Sequence, residues 1–477
     1  MRKKAAEGGG RHRLSCGDRR PRRSIFPEGV FFLEENKMGV MPVRRLLIHM
    51  AWPMMLSMFI QALYNMVDSM FVSWMSGEAF QALSLAYPVQ MFMISVCVGT
   101  GVGVNALLSR RLGEQDPEGA NAVAMNGYFV YLLSWLAFLL FGLLLARPFM
   151  GFFTSDAAIA GYGGVYLSIV TCGSIGVTMQ FASERVLLAS GDPVGPMVIQ
   201  GVGAVINLIL DPLMIFGIGP FPALGVAGAA IATVFGQLVG TLVGFVLVRR
   251  CPALKLHIRG FRPSPAVIGE VYRIGLPAIV MQSLASFMTL GLNKIMALYS
   301  AHAVYVLGAY FKLQSFIFMP VYGLNNGLIP VVGYNYGARS RNRITGLTRF
   351  ALQIGGAIMA LGTALFLLFP GVFLALFKAD AAQLAAGIPA LRMIAAGFLF
   401  AGVSIILCAV LQAMGSAMES LIISLLRQIL LILPAAWLLG RFSPAVMWLC
   451  FPIAEILSCA VALVFYRQVY RGKLSRL

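Results

Sequence analysis

Two aspartates stand inside apolar runs long enough to cross a membrane, Asp68 in the first run and Asp211 in the fifth. A carboxylate in such a run is costly. It faces a bundle interior or a watery cavity and marks an ion or substrate path. Each aspartate has an amide on its own helical face. Gln61 lies seven residues before Asp68, and Asn207 lies four before Asp211. Pro212 has no N–H to give the carbonyl of Leu208, which frees a backbone acceptor beside Asp211. Two carboxylates, two amides and a loosened helix can bind a proton or a small hard cation. A sodium ion would sit on Asp68, Asn207 and Asp211. Tyr64 and Asn65, between Gln61 and Asp68, are candidates for the substrate path.

The elements that must position these residues are transmembrane helices. The chain has 477 residues, 59% hydrophobic and 11% charged. A soluble domain carries about 25% charged residues. Apolar runs of membrane length recur throughout, and the short alternating segments of an outer-membrane barrel are missing. The net charge of +18 does not point to nucleic acid, because Lys and Arg fall mostly in a tail and in loops. The seven cysteines and four histidines show no metal-ligand spacing and no disulfide framework, so no cofactor is expected beyond a coupling ion, H+ or Na+.

Twelve spans are expected, at 46–75, 80–109, 122–146, 159–186, 196–217, 224–248, 271–299, 304–334, 347–370, 384–413, 418–439 and 444–466. Residues 1–43 read as a disordered basic tail that could touch anionic lipid, and a start at Met38 or Met41 would leave it without a role. Arg110–Arg111, the 249–270 loop, Arg339 to Arg343 and the Arg467 to Arg476 end share one side with the tail. Arg147, Lys378, Arg392 and Arg441 take the other. The basic side is cytoplasmic, and an even span number puts both termini there.

The two halves repeat. Pro53, Gly113 and Gly191 answer Pro277, Gly337 and Gly415; the offsets 277−53, 337−113 and 415−191 all equal 224, and Gly103 and Gly327 keep it. This predicts an N-lobe over 44–250, an inter-lobe loop over 251–270 and a C-lobe over 271–477. Each lobe has six spans in the same direction, related by an axis along the membrane normal. That is the plan of an alternating-access transporter.

In order and spacing, LYNMVDSMF, SRRLG, SGDP, INLILDPLMIFG, GVAGAAIATVFGQ, YGLNNGLIPVVGYNYGA and LLRQILLILP resemble the multidrug and toxic compound extrusion (MATE) transporters over residues 46–470. The resemblance implies two six-helix lobes in a V and cation-coupled export of amphipathic drugs and metabolites. It implies that Asp68 is the essential span-one aspartate, hydrogen-bonded by Gln61. Asn207 and Asp211 match the span-five pair, and Thr233 is the span-six hydroxyl. The sequence departs from the family in two places. It reads Leu188-Ala-Ser-Gly191 where many members carry Arg just before the glycine, with Glu184-Arg185 one turn earlier. Spans seven and ten hold no Asp or Glu, which leaves coupling to the N-lobe.

Lys294, Lys312 and Arg427 lie within spans of the second half. They could contact an anionic part of the cargo, or pair with Glu455 or with carbonyls freed at proline kinks such as Pro434. The first reading is therefore a monomeric multidrug exporter in the cell (inner) membrane, with small-molecule cargo and the lipid bilayer as its partners. The alternative is a lipid-linked saccharide flippase, which requires a cationic cavity for pyrophosphate. An intramembrane enzyme would need a catalytic constellation, and the sequence shows none.

Overall fold

The computed structural model describes residues 37–476 except 74–75, 155, 255–260 and 376–379; the side chains of 64–70, 72, 73, 77, 80, 301 and 476 lie outside that description. Among the described residues every regular element is a helix. The first bundle holds α1 (Val43–Ser73), α2 (Gly77–Gly113), α3 (Pro117–Leu144), α4 (Ala157–Cys172), α5 (Ile175–Ala189), α6 (Val194–Phe216) and α7 (Val226–Arg250). The second holds α8 (Pro265–Tyr299), α9 (Ala301–Gly337), α10 (Arg341–Leu368), α11 (Ala381–Ala395), α12 (Phe398–Ala413), α13 (Ala417–Leu425), α14 (Ile432–Phe442) and α15 (Cys450–Gly472).

Among the described residues ten traverses are long and apolar enough to cross a membrane, and the bent pairs α4/α5 and α11/α12 raise this to twelve. The protein is a multi-pass membrane protein with the expected span number. The bends, 42° and 46°, were not expected. They fall at Gly173 and Gly397, again 224 apart. A Cβ on Gly173 would lie 2.6 Å from the methyls of Val234, and one on Gly397 would lie 3.1 Å from Cα of Pro452. Hydrophobic periodicity reports a helical face, not the close neighbour that forces glycine.

The repeat extends to individual hydrogen bonds. After α2, Glu114 N–H donates to Arg110 O, Gln115 to Leu112 O and Asp116 to Arg111 O. After α9, Ala338 donates to Tyr334 O, Arg339 to Tyr336 O and Ser340 to Asn335 O, each atom 224 residues on. Both turns hold a non-glycine residue in the left-handed region, Gln115 at φ 58° and Arg339 at φ 54°. Gly191 and Gly415, also 224 apart, share positive φ at 92° and 73°.

One boundary moves. The expected tail runs to residue 43, yet Lys37–Val40 form a helical turn with Met38 fully buried. Met38 O accepts from Asn335 Nδ2 at 3.1 Å and from Arg343 Nη2 at 3.0 Å. Burying one apolar side chain and satisfying a carbonyl outweighs the local polarity that suggested disorder. Residues 1–36 of that tail lie outside the described residues.

The bundles meet through α1 on α9, α2 on α8 and α2 on α9. Glycines permit the contact. A Cβ on Gly327 would lie 2.8 Å from the carbonyl of Met50, and Gly99, Gly103, Gly275 and Gly323 sit equally close to the facing helix. Gly113 abuts Tyr334 O while Gly337 abuts Arg110 O. Residues 113 and 110 thus exchange partners with their repeat equivalents 337 and 334, as in a two-fold interface. These contacts lie at one end of the bundle, where α1 and α8 begin and α2 and α9 end. Small residues let backbones approach closely, and in a bilayer such packing drives helix association. Gly327→Val should therefore part the bundles at this end, because a backbone carbonyl cannot retreat from a new Cβ. With cysteines at Arg110 and Tyr336, where the guanidinium now lies 5.3 Å from the ring, cross-linking should fall at least about tenfold. Unchanged cross-linking would mean that the glycine contact is incidental.

Candidate functional site

The fifth and sixth traverses, α6 and α7, build the predicted polar site by close approach. A Cβ on Gly236 would lie 2.7 Å from Gly203 O and 3.1 Å from Cβ of Asn207, so only glycine lets α7 in. That contact sets the register of Thr233, one turn earlier on the same helix. Asn207 and Asp211 are 2% and 1% exposed, and Thr233 6%. Asn207 Nδ2 donates to Asp211 Oδ1 at 3.2 Å and lies 3.4 Å from Thr233 Oγ1, which donates to Ala229 O at 3.0 Å. Asn207 Oδ1 is buried with no hydrogen-bond partner among the described residues. A bare amide oxygen beside a carboxylate leaves an excess of acceptors, which fits a proton or a small cation.

The first traverse, α1, packs along α6 and carries the remaining predicted residues. Gln61 and Thr233 both line a cavity of about 510 Å³ whose walls come entirely from the first bundle. The side chains of Tyr64, Asn65 and Asp68 lie outside the described residues. Their backbone is helical, within α1.

The same cavity reaches a second polar layer that the sequence reading named only in passing. Gln180, Gln200 and Gln237 line it. Behind them Glu184, 2% exposed, accepts from Gln180 Nε2 at 2.9 Å and from Gln200 Nε2 at 3.2 Å. Arg185, 3% exposed, does not line the cavity; its guanidinium lies 5.6 Å from the ring of Phe181, which does, and 3.5 Å from Asn326 Oδ1 of the second bundle. Gln200 lies eleven residues before Asp211 on α6, about 16 Å, while on α7 Gln237 and Thr233 are one turn apart, about 6 Å, so the layers diverge from a shared wall. The signal for Glu184 was present: it is an acid within an apolar run, the same rule that singled out Asp68.

The second bundle has the architecture without this chemistry. At an offset of 224, Gln61, Asp68, Glu184, Asn207 and Asp211 become Ala285, Leu292, Cys408, Leu431 and Ala435. Its buried charge is elsewhere. Arg427 is not open to an anionic cargo, because it pairs with Glu455 at 3.2 Å, with only 15% and 16% of the two side chains exposed. Arg427 sits on a π-helical turn, Leu426–Leu430, between α13 and α14. Pro434 offers no N–H to Leu430 O, and Leu431 N–H bonds back to Leu426 O at 2.9 Å. The expected proline kink is thus taken up as a wider turn just before it. Lys294 on α8 and Lys312 on α9 are exposed, and neither lines the cavity.

Comparison with known proteins agrees with the fold. An "FAD transporter" of Shewanella oneidensis is 27% identical over 422 residues, covering 87% of this chain and 92% of that protein. "Multidrug export protein MepA" of Staphylococcus aureus is 26% identical over 465 residues, covering 94% and 97%. Among solved structures, an outward-facing multidrug resistance MATE family transporter of the MOP superfamily superposes with a TM-score of 0.87 at 23% identity, over 93% of this chain and 99% of the other. A MOP superfamily transporter from Pyrococcus furiosus gives 0.86 with the same identity and coverage. The MatE family model matches twice, at residues 53–213 and 277–438, with starts 224 apart. With two matches covering well over half its length, on the fold those structures share, this chain belongs to the MatE family of transporters.

Proposed function

We propose that the protein exports amphipathic small molecules, many of them cationic, by alternating access coupled to inward flow of a proton or a sodium ion. The observation that carries this is the buried Asn207–Asp211–Thr233 cluster, with its bare amide oxygen, beside a drug-sized cavity. In this reading Asp68, Gln61, Asn207, Asp211 and Thr233 hold the ion. The lobes, 44–250 and 271–477, rock against each other about the glycine interface. Lys and Arg concentrate at the end where the glycines close the bundles, which makes that end cytoplasmic and this state open outward, in the cell membrane with both termini inside. Of the two relatives, one is named for multidrug export, which supports this reading, and the other for transport of FAD, a different cargo.

The flippase alternative loses support. It needs cations around a pyrophosphate, and the described cavity is lined by glutamine, tyrosine, methionine and aliphatic groups with no Lys or Arg. Export is tested in inverted vesicles preloaded for an imposed pH or sodium gradient. Ethidium should accumulate inside when one gradient is present and stop when an ionophore collapses it. Accumulation indifferent to both gradients would overturn the coupling.

A further inference from the structure

We propose that Glu184, Gln180 and Gln200 form a cargo subsite that selects cations bearing N–H groups, such as protonated amines and amidiniums, over quaternary cations. This rests on the exporter reading and deepens it.

The first argument is charge. Glu184 is nearly fully buried and forms no ion pair among the described residues. Its sequence neighbour Arg185 points to Phe181 and Asn326 instead. A buried carboxylate near Arg185 but with no cation in direct contact is further stabilised by a cation arriving from the cavity in front of it.

The second argument is hydrogen-bond direction. Both glutamines donate to the carboxylate, which fixes which end of each amide faces it, since an amide oxygen against a carboxylate oxygen is repulsive. Gln200 must therefore turn its Oε1 away, and that oxygen is buried with no partner among the described residues. Gln237 Oε1, on the same cavity wall, is buried and bare as well. What these two amide oxygens lack among the described residues is a donor, and the one buried unpartnered donor nearby, Nε of Arg185, does not reach them. A protonated amine supplies charge to Glu184 and N–H groups to the bare oxygens. A trimethylammonium supplies only charge and leaves those oxygens unpaired, and sites built to hydrogen-bond discriminate sharply against partners that cannot.

The third argument is position. Gln200, which with Gln180 holds Glu184, lines the cavity about 16 Å along α6 from Asp211, so a cargo cation at Glu184 need not displace an ion held at Asp211.

The test uses the purified full-length protein and a matched pair of probes, 4-phenylbutylammonium and its N,N,N-trimethyl analogue, with binding measured by titration calorimetry without any gradient. The parent protein should bind the ammonium at least about tenfold more tightly. Glu184→Gln should weaken both probes, since both bring a charge, but the ammonium more, since only it can also donate an N–H to the carboxylate; Gln200→Leu should lower the ratio by weakening the ammonium alone. If Glu184→Gln misfolds, Gln200→Leu still reads the ratio. An unchanged ratio in both variants, or equal weakening of both probes, overturns the subsite. So does a Glu184→Gln protein that keeps the ratio but loses its ion-gradient response for both probes, since Glu184 would then be a coupling group. Failure of gradient-driven ethidium transport by the parent protein, with the binding ratio intact, would sink the exporter reading and leave the subsite standing.

Discussion

Asp68→Asn is expected to insert normally, still bind a cationic drug, and lose gradient-driven efflux at least about tenfold. The substitution keeps the size of the side chain and one oxygen while removing the titratable charge. An aspartate that merely bonds a neighbouring helix could be served by an amide. A coupling aspartate could not, because the ion would no longer distinguish the two lobe states and could not shift their populations. Asp211→Asn should behave alike. Asn207 Nδ2 already donates to Asp211 Oδ1, so a second amide there would turn a donor toward a donor or leave the site without charge. The double variant should be little worse than either single one, since residues acting as one unit are non-additive. The measurement is efflux by reconstituted protein, with drug binding as the control. Near-parent efflux by Asp68→Asn would falsify the mechanism while leaving the fold untouched.

The second large effect concerns stability. Glu455→Gln removes the counter-charge of Arg427 and leaves a buried guanidinium with only neutral partners, such as Tyr322, among the transmembrane helices. Breaking a buried pair in this way costs about 3–5 kcal/mol. The loss should appear as a sharp fall in the monodisperse fraction after detergent extraction and a lower melting temperature. The double variant Arg427→Met, Glu455→Leu should recover most of it, because replacing both charges by apolar groups of similar volume is often neutral or stabilising. The site is closely packed, since a Cβ on Gly397, at the α11/α12 bend, would come within 3.3 Å of Glu455 Cγ. A double variant as unstable as the single one would show that packing, not pairing, dominates. A stable double variant that fails to transport would show that the pair serves the transport cycle.

Some of this was fixed by local chemistry and therefore legible in the chain. Apolar runs too long and too numerous for a soluble protein require helices, because a bilayer core offers the backbone no other partner. Landmarks repeating at 224 residues require two like bundles, and the turns after α2 and α9 repeat down to single hydrogen bonds. The rarity of acids in such runs singled out Asp68 and Asp211, and the spacing of Asn207 from Asp211 placed them on one helical face, as found. Other features depend on what another helix brings. Glycines 173 and 397 look like any glycine until Val234 and Pro452 are seen against them. Arg427 had three candidate partners, the cargo, Glu455 and freed carbonyls, and only packing of α13 to α15 settled it on Glu455. Met38 looked like tail until Asn335 and Arg343 reached its carbonyl from some 300 residues away. Glu184 was visible as an acid in an apolar run, but its two glutamines come from α5 and α6, and only their meeting makes a layer with bare oxygens. The sequence by itself thus determined the membrane class, the duplication and the location of the rare charges, because these follow from transfer energy and helical period. The tertiary structure decided where helices break, which charges pair and where the second polar layer lies, because each depends on distances between segments that no local pattern encodes.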